Sequence, residues 1–179
     1  GRPFKFTAEA YYKYIDRMES YTVDNVRVRY SGKNDSEGYA AGLDLKLYGE
    51  LVPGADSWIS FSTMTAKQRF IGSNSWIPSP QEQRYSFAML SQDYLPQLPH
   101  LRFPLKMQFA DGRPFSAPRN KTQWGRLPGY KRIDLGAAYI FNAKTAKFMR
   151  KESAKHIKQW AIQFEVFNLV GWKNVNSYF

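Results

Sequence analysis

Every second residue from Tyr39 to Leu51 belongs to one chemical set. Tyr39, Ala41, Leu43, Leu45, Leu47, Gly49 and Leu51 take one side of an extended chain, and Ala40, Gly42, Asp44, Lys46, Tyr48 and Glu50 take the other. The period of two returns at Leu101, Phe103, Leu105, Met107 and Phe109 against Arg102, Pro104, Lys106, Gln108 and Ala110. It also runs through Phe4, Phe6, Ala8, Ala10, Tyr12 and Tyr14 against Lys5, Thr7, Glu9, Tyr11 and Lys13. Strands of water-soluble sheets usually number about 5 or 6 residues. Runs of about 10 or more with one oily and one wet side suit tilted strands that cross a bilayer, lipid on one face and water on the other.

Aromatic residues make up 17% of the 179 residues, yet they are spread by alternation and not gathered into runs. No stretch of about 18 consecutive apolar residues exists, which excludes a transmembrane helix and leaves a membrane barrel open. Cysteine is absent, so disulfides, thiolate metal sites and cysteine nucleophiles are excluded. The two histidines, His100 and His156, are far apart and lack metal-ligand spacing. The net charge of +11 fits either attraction to anionic partners or a set of solvated loops. Much of it sits in Lys144, Lys147, Arg150, Lys151 and Lys155, opposed by Glu152, and that cluster reads as a basic turn or a short helical excursion. With no signal peptide at Gly1, an exported protein of this sequence is expected to be a mature chain or an internal fragment.

The alternation predicts seven strands: Phe4 to Arg17, Gly38 to Val52, Ser57 to Phe70, Arg84 to Leu95, Leu101 to Ala110, Lys131 to Asn142 and Ile157 to Leu169. Tight turns are expected at 52–57, through Pro53 and Gly54, and at 95–101, through Pro96 and Pro99. The connections 19–37, 71–83 and 111–130 are long and polar. Short turns on one side and long loops on the other are what an outer-membrane barrel has, the long loops being extracellular. On the lipid-facing parity Tyr12, Tyr14, Tyr39 and Tyr85 then lie at outer strand ends, and Tyr139 and Phe141 at an inner end, as interfacial belts. Two faces stay open. Ile59, Phe61, Thr63 and Thr65 alternate with Trp58, Ser60, Ser62 and Met64, and Asp93 falls on the lipid parity unless a bulge intervenes.

Several segments carry a family resemblance: Phe6-Thr7-Ala8-Glu9-Ala10-Tyr11-Tyr12-Lys13, Glu37-Gly38-Tyr39-Ala40-Ala41-Gly42-Leu43-Asp44, Gly49 to Trp58, Gln83 to Phe87, Gln92 to Pro96, Arg132 to Gly136 and Phe164 to Leu169. Together they cover nearly the whole chain and resemble the C-terminal part of TonB-dependent outer-membrane receptors. The resemblance implies an all-β fold of antiparallel transmembrane strands, part of a barrel of about 22 strands closed around a plug. It implies import of a scarce nutrient (siderophore, cobalamin, glycan or peptide) across the outer membrane of a Gram-negative bacterium, with energy from TonB. The implied partners are outer-membrane lipid and lipopolysaccharide, the receptor's own N-terminal plug, TonB acting through that plug, and the nutrient; nucleic acid is not among them. The plug and a closing strand are expected outside residues 1–179, and Asn174 to Phe179 to begin an extracellular loop.

No catalytic set, metal site or cofactor is expected, since neither histidine sits in a motif that would aim it. The outer loops hold Trp76, Arg113, Phe115, Arg119, Lys121, Trp124 and Arg126, residue types that hold an anionic chelate or stack on a sugar ring. Their plain alternative is loop packing and contact with lipopolysaccharide. Gly112, Pro114 and Pro118 are expected to shape the loop. Asp44, Lys46, Glu50, Arg102, Lys106, Gln108, Asp134, Gln163 and Glu165 are expected to face the lumen and meet the plug, or simply to line a solvated wall. Two other classes fit the alternation. One is a soluble basic β-rich domain that binds glycan or nucleic acid, and the other is a small outer-membrane barrel enzyme.

Overall fold

The computed structural model describes residues 4–24, 27–52, 55–95, 98–117, 120–142 and 159–175, and every regular element among them is a β-strand. The long alternating runs become seven long strands: β1 (Lys5–Met18), β4 (Ser36–Val52), β5 (Ala55–Phe70), β7 (Tyr85–Leu95), β8 (Leu98–Ala110), β11 (Tyr130–Asn142) and β12 (Gln159–Val166). They pair antiparallel in the order β1-β4-β5-β7-β8-β11-β12, each with its neighbour in sequence. The long connections are less irregular than their composition predicts. They contain the hairpin β2 (Tyr21–Asp24) with β3 (Arg27–Tyr30), the short β6 (Ile77–Pro78), and the hairpin β9 (Pro114–Ala117) with β10 (Asn120–Arg126).

Directly opposed residues of an antiparallel pair share a face. Leu47 stands opposite Phe6 and Ile59, Ile59 opposite Met89, Met89 opposite Met107, and Met107 opposite Ile133. The next row runs Ala8, Leu45, Phe61, Phe87, Phe109. At the other end Leu135, Ala137, Tyr139 and Phe141 oppose Val166, Phe164, Ile162 and Trp160. All seven apolar sets therefore fall on one side of one sheet. The same registers answer the two open faces: Ile59, Phe61, Thr63 and Thr65 take the oily side, and Trp58, Ser60, Ser62 and Met64 the polar one. No bulge precedes Asp93, whose register position opposite Phe103 is on the oily side; the shift comes later, between Tyr94 and Leu95.

Several strand ends differ from expectation by one to three residues, and some of the differences have a visible cause. β8 already begins at Leu98, so His100 is a strand residue with its ring 6.5 Å from Tyr139, not part of a turn. β12 ends at Val166 because Asn168 adopts a left-handed φ of 51°, a conformation asparagine tolerates. From there residues 167–175 do not simply leave as a loop. Leu169 N–H donates to Ile133 O at 2.7 Å, and the Asn174 amide both accepts from Lys131 N–H at 2.9 Å and donates to Lys131 O at 3.0 Å. In β1 the register shifts between Ile15 and Met18, where Arg17 has φ 52°. The basic cluster at 144–155, with His156, lies outside the described residues.

Among the described residues no second layer covers the sheet. The buried apolar residues are Ala55, Ala66, Ala138 and Leu127, whereas Phe6 is 64% exposed and Phe164 73%. The accessible surface is 12887 Å², where a folded monomer of 20.8 kDa exposes about 8900 Å². Nothing among the described residues pairs with the outer edge of β1 or of β12, so the sheet is open.

Candidate functional site

The connections 19–37, 71–83 and 111–130 sit at one end of the sheet, and there four charged side chains from separate segments meet. Arg84 precedes β7, Glu82 lies two residues before it, Asp111 directly follows β8, and Arg126 ends β10. Arg84 grips Asp111 with two donors, Nε to Oδ2 at 2.6 Å and Nη2 to Oδ1 at 3.2 Å. Arg126 donates from Nη1 to Asp111 Oδ2 at 3.1 Å and to Gly112 O at 3.2 Å, and from Nη2 to Glu82. The second Glu82 oxygen accepts from Ala66 N–H at 3.1 Å and from the Thr65 hydroxyl at 3.2 Å. A side chain thus serves one backbone donor of β5, the Ala66 N–H, beyond the point where β7 leaves it. Glu82 is 3% exposed and Asp111 6%, a degree of burial that carboxylates bear only when paired. Arg84 holds the Asp111 carboxyl below its ordinary range despite the opposing effect of burial.

Gly112 makes this approach possible. A Cβ there would stand 1.6 Å from the Leu127 carbonyl oxygen, so only glycine lets the base of the β9–β10 hairpin close, with Leu127 N–H donating to Arg113 O at 3.0 Å. The expected shaping role of Gly112 is a close backbone approach.

The expected ligand residues are brought together in part. Arg113, Phe115, Trp124 and Arg126 share the one hairpin, with Phe115 opposite Gly125 and Trp124 opposite Ser116. Arg113 is exposed and borders a groove of about 620 Å³ with Gln83, Leu127 and Tyr130. Arg126 is engaged by carboxylates and is part of the hairpin's anchor. Trp76 stands apart from the hairpin rings: it meets Tyr39 edge-on at 5.2 Å and lies 4.5 Å under the Arg69 guanidinium. It nevertheless borders a second groove, of about 610 Å³, together with Arg126. Lys121 is on β10 but its side chain lies outside the described part, as does all of Arg119. Composition alone did not point to Glu82, Arg84 and Asp111; a signal existed in the charges placed directly at strand mouths.

The polar face carries the expected wall residues together. Asp44 is opposite Glu9 and Ser62, Lys46 opposite Thr7 and Ser60, Glu50 opposite Asp56, and Lys106 opposite Leu90 and Asp134. Gln108 opposes Ala88 and Arg132, while Arg102 and Gln163 oppose Ala138. Part of this charge is satisfied within the sheet. Lys106 pairs with Glu165, and Arg132 Nε donates to Asp134 Oδ1 at 2.8 Å, which also accepts from Asn168 N–H at 2.8 Å. Lys46 Nζ lies 5.7 Å over the Trp58 ring. The Arg102 Nε–H is buried and has no acceptor among the described residues.

Aromatic rings mark both ends of the oily face. Tyr12 stacks with Tyr39 at 6.3 Å and Phe109 meets Trp172 at 6.1 Å at the loop end. At the other end Phe141 stacks on Trp160 at 4.3 Å and touches Tyr139 at 4.6 Å. Compared with known proteins, the chain matches no family model, and neither a curated protein nor a solved structure is significantly similar to it.

Proposed function

We propose that the chain forms wall and extracellular loops of an outer-membrane β-barrel receptor that binds a scarce nutrient and imports it with TonB-derived energy. The observation that carries the membrane part is the bare oily face. Leaving apolar surface in water costs about 25 cal/mol per Å², and lipid is the cover that a one-layer sheet of this kind accepts. A soluble sandwich needs a second sheet on that face, and among the described residues none lies there. The height agrees with this reading. From Tyr39 to Leu51 the strand rises about 40 Å at ~3.3 Å per residue, or about 28 Å when tilted near 45°, close to the apolar band of about 25 Å. The ring clusters at both ends take the place of interfacial belts.

Seven antiparallel strands leave β1 and β12 running in the same direction. An all-antiparallel barrel without free edges then needs an odd number of further strands between them. The narrower reading, a nutrient receptor, is supported by the likeness of the quoted segments to TonB-dependent receptors. It is also supported by the hairpin that groups Arg113, Phe115 and Trp124 beyond the strand ends. The charged polar face suits contact with a plug.

The test is fractionation of cells carrying the protein, followed by uptake of labelled ferric siderophores, cobalamin and oligosaccharides with and without an uncoupler. Extraction by detergent alone, with energy-dependent uptake of one of these, is the predicted result. Recovery from a salt-washed soluble fraction without detergent overturns it.

A further inference from the structure

The groove of about 620 Å³ lies where the base of the β9–β10 hairpin meets the loop ends of β7, β8 and β11. Five of its border residues form two adjacent rows across the sheet, Ser86 with Ala110 and Tyr130, and Ala88 with Gln108. These rows share the polar parity of Lys106 and Asp134. Ser86, Ala88 and Ala110 are small, so the surface sinks between the longer Gln108 and Tyr130. Leu127 and Pro128 from the hairpin base, with Phe87 and Phe109 of the oily parity, complete an apolar part of the border. A few polar groups on a largely apolar concave wall, within a volume of about 300–1,000 Å³, are the usual anatomy of a small-molecule site.

The charges around this border cancel. Asp111 is held by Arg84 and Arg126, so the unpaired charge left on the described border is the exposed guanidinium of Arg113. Drawing a multiply charged chelate out of water takes more countercharge than that. An extended peptide is poorly served too, because β7, β8 and β11 have strand neighbours on both sides and offer no free main-chain edge. The unspent groups are neutral. The Gln108 amide and the Ser86 hydroxyl have no partner among the described residues, and Gln83 donates from Nε2 to Asp111 O at 3.3 Å while its carbonyl stays open. Two amides, a hydroxyl and one fork-shaped guanidinium match the alternating donors and acceptors of sugar hydroxyls, and the half-buried Tyr130 ring offers a flat apolar surface beside them.

We propose that this groove binds a neutral oligosaccharide; the proposal rests on the nutrient-receptor reading above and narrows its four ligand classes to one. Sugar hydroxyls donate to the Gln83 and Gln108 carbonyls and accept from the Gln108 amide, the Ser86 hydroxyl and Arg113. The C–H face of one ring packs on Tyr130. The hairpin's anchor takes part indirectly: Arg126 fixes the base from which Arg113 and Leu127 reach the border, and is a positioning residue for this site. The expected role of Arg126 as a direct anion contact thus gives way to that of a brace.

The experiment titrates the full chain by calorimetry, in a zwitterionic detergent that carries no sugar, with neutral oligosaccharides released from starch, cellulose, xylan and mannan. An anionic ferric tris-catecholate, cyanocobalamin and a tripeptide pool are titrated in parallel. Binding of a neutral oligosaccharide, and of none of the other three, is the expected result. Gln108→Leu and Arg113→Ala, made separately, each weaken it at least about tenfold with the β-sheet circular dichroism unchanged. Arg113 is exposed, so its variant tests the site even where Gln108→Leu disturbs the strand. Failure of every oligosaccharide to bind overturns the proposal, as does tighter binding of the catecholate, cobalamin or peptides, or native affinity in both variants. Energy-dependent uptake of one of those other three by cells, without oligosaccharide binding, removes the sugar and keeps the receptor; no uptake and no binding of any of them removes both.

Discussion

Arg126 holds two nearly buried carboxylates at once, one of them 44 positions away in the chain. Removing it leaves Glu82 and Asp111 short of countercharge, so Arg126→Met is expected to cost on the order of 3 kcal/mol, measured by urea unfolding in detergent. Acid acts on Asp111 as well, first through its hydrogen bonds from Arg84 and then through Arg126. The folded Asp111 carboxyl lies below its ordinary 3.8, so its stabilising effect is complete above that value and is lost as pH falls below it. Hairpin docking should therefore be constant from neutral pH to about pH 5 and weaken below about pH 4, with Asp111→Asn removing that acid step, as followed by tryptophan fluorescence of the hairpin. Residue type and loop position made Arg126 legible as a candidate. Its partners were not, because alternation assigns a residue to a face but does not say which loops meet above the strands.

At the scale of elements, each strand's face has an energetic consequence. Leu45→Arg sets a charge midway along the oily side and is expected to cost about 2–4 kcal/mol in a bilayer, whereas Ser62→Arg on the polar side should be nearly neutral. Folding yield into lipid vesicles distinguishes the two. The hairpin β9–β10 depends on Gly112, and Gly112→Ala forces the Leu127 carbonyl away. Trypsin should then cut within 113–126 at least about tenfold faster, with the rest of the sheet intact. The seven long strands were readable because their runs far exceed ordinary strand length. The hairpins were not: Tyr21–Asp24 and Pro114–Ala117 are 4 residues each, too short for a period of two to stand out from polar loop composition. Strand β5 was ambiguous for another reason. Trp58 and Met64 are bulky on the polar parity, and only pairing with Leu45, Leu47 and Phe87 decides its face.

For the whole molecule, the described long strands form a single open sheet with one bare oily side, which the proposed function assigns to lipid. Order and direction of the strands were legible from alternating short and long connections. Closure was not, since period and turn length carry no information about what pairs with the outer edges of β1 and β12. The chain has no cysteine, so single cysteines introduced one at a time at Leu43, Asp44, Leu45, Lys46, Ile59, Ser60, Phe61 and Ser62 report on each position alone. In membranes, their labelling by a water-soluble maleimide is compared with quenching of an attached fluorophore by a lipid-phase quencher. The account predicts a strict alternation: positions 44, 46, 60 and 62 react from water, and 43, 45, 59 and 61 are quenched from lipid. Positions 43, 45, 59 and 61 shielded from both reagents, as beneath a second protein layer, or open to water like their neighbours, would contradict it.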